Sequence, residues 1–271
     1  MKNLKFILVL IFGFLSSSCN LDEDPIFLDA TLYDNPDSAA AALDGIYQKL
    51  TTYDSMERRY WVINGFSGLF VTHRQGNSVN NPHNSSLMAL NPIQDQVSEA
   101  FWRGLYGAIA QTNAAIENIT VVENPITNDE LLFSDIKGQA YFARAWAYFD
   151  LTRLFKDIPL WTELPDENNL NKAKSTTKEV YAQVISDAKM AASLINGKSG
   201  TGYPKQYAAN MLLAKLYMAL ATNPDLREGA LTEMDYWQMA YDEAIKVYGQ
   251  YSLVADYSSI FTDSNENNSE S

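Results

Sequence analysis

The chain reads as an all-α protein, built from tetratricopeptide-like stacked helical hairpins with long irregular loops. Three observations support this. Apolar residues recur at helical spacing in six segments, and helix start signals precede several of them. No segment alternates apolar and polar residues as a half-buried strand would. Alanine stands where helix axes would have to approach closely: Ala143 and Ala147, Ala188 and Ala192, Ala214, and Ala240 and Ala244. The pattern is similar to tetratricopeptide repeats, without their strict 34-residue consensus.

The first helix is predicted over 36–53. Asn35 supplies an N-cap, Pro36 the first helical position, and Ala39, Ala42, Leu43, Ile46, Tyr47 and Leu50 an apolar face. Residues 60–97 lose the periodicity, because Gly65, Gly68, Gly76, Pro82 and Pro92 interrupt it and asparagines crowd it. This segment reads as a loop of roughly 35 residues, and ordered loops of that length in compact domains are usually functional. A helix over 97–119 then places Phe101, Leu105, Ile109, Thr112 and Ile116 on one stripe. Thr127 to Glu130 reads as a capping box opening a helix to Leu154, whose middle (Ala140 to Phe149) is apolar nearly all round and so buried on several sides. Pro159 and Pro165 mark a second loop over 156–174. A second box, Thr176 to Glu179, opens a helix running to Asn196-Gly197. Pro204 starts the next, which stops at Asn223-Pro224, and the last is predicted over 233–249.

The N-terminus carries a secretion leader. Lys2 and Lys5 precede an apolar run from Phe6 to Leu15, too short to span a bilayer, and small serines lead to Cys19. Cys19 is the single cysteine, and a small-residue stretch ending in Cys is what a bacterial lipoprotein signal looks like. Here Ser16 occupies the position that is usually aliphatic, with Leu15 one place early. The expected organisation is a leader over 1–18, a lipid anchor at Cys19, an acidic tether over 19–34 and an α-helical domain over 35–271. An ordinary cleaved signal or a buried thiol is the alternative for Cys19. Losing Lys2 and Lys5 with the leader takes the formal net charge from −13 to −15, which repels phosphate backbones and argues against nucleic acid. One cysteine makes no disulfide framework, and two distant histidines make no zinc site, so no metal or cofactor is expected.

The strongest cluster of motifs is the long helix and its exit: Gly138-Gln139-Ala140-Tyr141-Phe142-Ala143-Arg144-Ala145, Tyr148-Phe149, Leu154-Phe155 and Ile158-Pro159-Leu160. Trp102, Leu105-Tyr106 and Asn113 precede it, and Val180-Tyr181, Asp187, Tyr207-Ala208-Ala209 and Leu213-Ala214 follow. Together these resemble the SusD/RagB family of outer-membrane nutrient-binding lipoproteins from Bacteroidetes. The resemblance implies a tetratricopeptide-like scaffold and a binder with no catalytic residues. It also implies a role: holding a glycan or other nutrient at the cell surface and passing it to a SusC-like TonB-dependent outer-membrane channel, over which the lipoprotein acts as a hinged lid. A lipid-anchored position on the outer membrane, facing the exterior, follows from the same resemblance. Asp22-Glu23-Asp24 resembles the export signals of surface lipoproteins, or is a solvated tether. Family members run to roughly twice this length, so the polar ending at Ser271 is expected to mark a fragment, with a disordered tail as the alternative.

Candidate ligand residues lie in the long loop. His73, Arg74, Asn77, Asn80 and Asn81, with His83 and Asn84, form a polar set whose amides and guanidinium match vicinal hydroxyls. Trp61 and Phe70, with Tyr60 and Phe66, offer flat faces for the C–H face of a sugar. Turn chemistry is the competing explanation for the same asparagines and glycines. Arg144, a charge on an apolar helix, is expected to be structural and paired with Asp150 or Asp187. Gly65-Phe66-Ser67-Gly68 is one residue short of a nucleophile elbow and lacks the strand that motif needs. A helical-repeat scaffold lipoprotein that binds only protein or peptide is the other function class left open.

Overall fold

The computed structural model describes residues 30–57, 59–67, 96–164, 171–227, 229–262, 265 and 268. Asn35 opens α1, Pro36–Leu50, its side chain accepting the Ser38 N–H at 3.0 Å. Ala39, Leu43, Ile46 and Leu50 form its buried stripe. The remaining helices are α2 (Arg59–Ser67), α3 (Gln96–Asn118), α4 (Asn128–Phe155), α5 (Thr177–Leu194), α6 (Gln206–Thr222) and α7 (Glu233–Val247). Both expected capping boxes close, at Thr127/Glu130 and Thr176/Glu179. A third at Thr232/Asp235 uses the shorter carboxylate at the same position.

Helix α4 is the centre of the molecule. It packs against α1, α3 and α5, after which α5 packs on α6 and α6 on α7, as stacked hairpins require. Three sides of α4 are covered, which is why its sequence is apolar nearly all round. Phe101 and Leu105 of α3, Tyr148 and Leu151 of α4, Val184 of α5 and Leu216 of α6 share one core cluster, and each is fully buried. Burying a side chain of that size is worth about 1.5–3 kcal/mol against leaving it exposed. Ala143 and Ala147 are fully buried at the close approaches. On α5 the fully buried pair is Ala188 and Ala191, whereas Ala192 stands one position round the helix and is only half-buried. Gly138 lets α4 approach the end of α5 closely, since a Cβ there would lie 2.8 Å from the Ile195 backbone nitrogen.

Four expectations need correction. The predicted loop over 60–97 begins with helix α2, because Ile63 is buried and Tyr60 packs on Phe101; that tertiary burial outweighs the local cost of Gly65. The first helix stops at Leu50, where Thr51 turns its hydroxyl back to the Tyr47 carbonyl, and a kinked π-turn at Tyr53–Glu57 follows. The tether does not extend to residue 34, because Ala30–Tyr33 forms a 3₁₀ turn and Tyr33 is buried against the core. A two-residue antiparallel pair, β1 (Ile158–Pro159) with β2 (Lys174–Ser175), is present and is too short to show any alternation. Among the described residues, no helix is long and apolar enough to cross a membrane.

Candidate functional site

The loop leaving α4 is held by side chains. Tyr106 donates to the Pro159 carbonyl at 2.6 Å, and Asn113 donates to the carbonyls of Trp161 and Glu163 at 3.1 and 3.0 Å. The Tyr148 hydroxyl accepts from the Trp161 N–H at 2.7 Å and donates to its carbonyl at 2.8 Å. These bonds supply the backbone partners that an irregular segment cannot find in itself. Burial pushes the Tyr148 and Tyr106 hydroxyls well above the ordinary tyrosine range, so both stay protonated and able to donate.

Arg144 sets this network. Its Nε and one terminal nitrogen donate to the two Asp187 oxygens at 2.8 and 2.7 Å, and its other terminal nitrogen donates to Asn113 Oδ1 at 2.9 Å and the Thr162 carbonyl at 3.1 Å. Both side chains are almost fully buried. Burial raises the Asp187 carboxyl, opposed by the Arg144 hydrogen bonds; for Arg144, burial is outweighed by Asp187 and the guanidinium stays charged. Asp187 is the partner, and Asp150 is not. Asp150 instead accepts from the Trp146 indole at 3.0 Å and pairs with Arg153 at 3.5 Å. Arg144 is therefore a structural residue that fixes α3, α5 and the 158–164 loop to α4.

The exposed aromatic platform lies on α2. Tyr60 leans on the buried Phe101 with ring centroids 6.5 Å apart, and meets Trp61 edge-on at 5.5 Å. Trp61 itself is 69% exposed. Burial is the main cause that raises the Tyr60 hydroxyl, reinforced by Asp150 and opposed by Arg153. A tryptophan braced from the core side and open to solvent offers a flat apolar face that a sugar ring can cover. Of the candidate ligand residues, Trp61 and Tyr60 are among the described side chains. Phe70, His73, Arg74, Asn77, Asn80 and Asn81, with His83 and Asn84, lie outside the described residues, as does Cys19. Among the described residues no group of three or more His, Cys, Asp or Glu could hold a metal ion. Sequence reasoning missed one feature, a groove beside the 196–208 segment; Gly197, Gly200 and Gly202 were its visible signal.

An all-α stack with this buried Arg144 centre can be set beside known proteins. A SusD-like family model, described as "Starch-binding associating with outer membrane", matches residues 46–218, well over half of the chain. The chain belongs to the SusD-like family. SusD-like protein P25 of Formosa agariphila is 25% identical over 99% of this chain and 50% of its own length. A SusD superfamily protein of Bacteroides thetaiotaomicron superposes with a TM-score of 0.61 at 25% identity, covering 81% of this chain and 48% of that one. A laminarin-binding SusD-like protein gives 0.68 at 22% identity, over 88% and 50%. The chain thus spans about half the length of the relatives it matches. The SusD-like neighbours share its helical stacked-hairpin fold.

Proposed function

We propose that this SusD-like chain is the glycan-capturing part of an outer-membrane surface lipoprotein, and that it delivers an oligo- or polysaccharide to a SusC-like TonB-dependent channel. The observation that carries the reading is Trp61, 69% exposed on α2, which precedes the amide-rich 68–95 segment in the sequence, in a chain whose family is described by starch binding. The laminarin-binding neighbour supports a glycan as the ligand class. In this reading His73, Arg74, Asn77, Asn80 and Asn81 supply the polar rim, and Phe70 a second aromatic platform. The protein binds and does not cleave; incubated with polysaccharide, it should release no reducing ends.

Calorimetry against starch, laminarin and other polysaccharides is the direct test. Binding to at least one glycan that falls about tenfold in Trp61→Ala, with thermal stability unchanged, is the expected outcome. Silence across the panel would overturn the glycan reading. Anchoring is tested separately: Cys19→Ala should leave an uncleaved or soluble product, and continued partition into the outer membrane would remove the anchor assignment. One observation favours a second reading, a scaffold that binds protein partners. Helix α7 turns Met234, Trp237, Tyr241 and Ile245 to solvent at helical spacing, and Tyr248 at its C-cap is exposed as well.

A further inference from the structure

Behind the α5–α6 connection lies a groove of about 910 Å³, within the size range of ligand pockets. Its floor comes from Phe142 and Trp146 of α4, and its walls from Tyr203, Tyr207 and Tyr251. The rings are held in place. The Trp146 indole donates to Asp150 at 3.0 Å, Phe142 meets Trp146 edge-on at 5.7 Å, and Tyr207 meets Tyr251 the same way at 6.0 Å. The Tyr203 hydroxyl donates to Asp44 on α1; burial, reinforced by that carboxylate, pushes it up to about 12.

The wall is also built in advance. Asp135, fully buried on α4, accepts three loop amides: Asn196 at 2.5 Å, Gly197 at 2.8 Å and Ser199 at 2.8 Å. Gly197, Gly200 and Gly202 all take positive φ, 83°, 100° and 93°, which other residues adopt only under strain. Gln139 closes the base, accepting from Tyr47 and donating to the Pro204 carbonyl. A surface turn needs none of this support; a binding loop does, because rigidity lowers the ordering cost on association.

We infer that this groove is a second carbohydrate-binding site, distinct from the Trp61 platform and taking a neutral or acidic oligosaccharide strand. Standing aromatic rings give faces for sugar C–H groups, while Gln206 and Thr201 give an amide and a hydroxyl for sugar hydroxyls. No carboxylate lines the groove among the described residues, although the chain carries a formal net charge of −13; Lys205 is the one charged lining residue. That lining repels no acidic sugar and offers no partner to a cationic ligand. A peptide would need a strand edge or an apolar slot for anchoring side chains, and the lining is loop, helix start and rings. A long polysaccharide held at two points would gain residence time by effective concentration.

The inference rests on the glycan reading, so the test separates the two. Isotope-labelled protein is titrated with starch- and laminarin-derived oligosaccharides by NMR, in the unaltered chain and in Trp61→Ala. The expected result is movement of the Gly197, Gly200 and Gly202 amides in both proteins, and a roughly tenfold weakening of the affinity remaining in Trp61→Ala when Tyr251→Ala is added. Binding with those three amides unmoved would overturn the second site and leave the Trp61 reading intact. No binding by the unaltered chain would overturn both. Movement of the amides by a peptide control and by no sugar would assign the groove to peptide and sink the inference.

Discussion

Replacing Asp187 with Asn should destabilise this protein strongly. The carboxylate has a side-chain exposure of 1%, and it neutralises an Arg144 guanidinium whose side-chain exposure is 4%. Asp187→Asn keeps the volume but leaves a full positive charge buried without its counter-ion, which costs about 3–5 kcal/mol. Arg144→Met errs the other way: Asp187 then takes up a proton, and Asn113 Oδ1 and the Thr162 carbonyl each lose a donor, at about 1–3 kcal/mol for each buried group left unmade. The double variant Arg144→Met/Asp187→Leu removes both charges together, so its loss should fall below the sum of the singles by about 2 kcal/mol or more. Urea unfolding followed by circular dichroism, extrapolated to water, measures all three. A loss below about 1 kcal/mol for Asp187→Asn, or strict additivity in the double variant, would refute the account of a buried, mutually dependent pair.

Two further changes probe the scaffold. Gly138→Ala should destabilise by about 1–3 kcal/mol despite alanine's helix preference, because the new methyl would meet the Ile195 nitrogen at 2.8 Å and the Leu194 Cβ at 2.9 Å; equal or higher stability in thermal melts would disprove that close packing. Asp150, pushed up to about 6 from 3.8 chiefly by burial and opposed by Arg153, the Trp146 indole and Lys215, holds a proton that the unfolded chain has already released between those values. Stability should therefore fall as pH rises from about 4 to about 6, by up to about 3 kcal/mol, and Asp150→Asn should flatten that part of the pH profile. An unchanged slope in the variant would assign the dependence to other groups.

The helical class, the two Thr-x-x-Glu starts, the Asn35-Pro36 start and the burial of the Ala140–Phe149 stretch were all legible in the sequence, because each depends on neighbours within a turn or two. The tertiary structure decided what local spacing cannot carry. Arg144 had two plausible acids, and only the packing of α5 against α4 brings Asp187 into bidentate reach while Asp150 turns to Trp146. Helix α2 appeared where Gly65 argued for a loop, since burial of Ile63 and support from Phe101 come from residues far along the chain. Asp135 read as an ordinary helix carboxylate; its role follows from three amides 61–64 residues away that converge on it. Periodicity is a local property and tells which face of a helix is apolar. Which partner covers that face, and where a polar side chain finds its bonds, depends on contacts between distant segments that exist only once the helices have stacked.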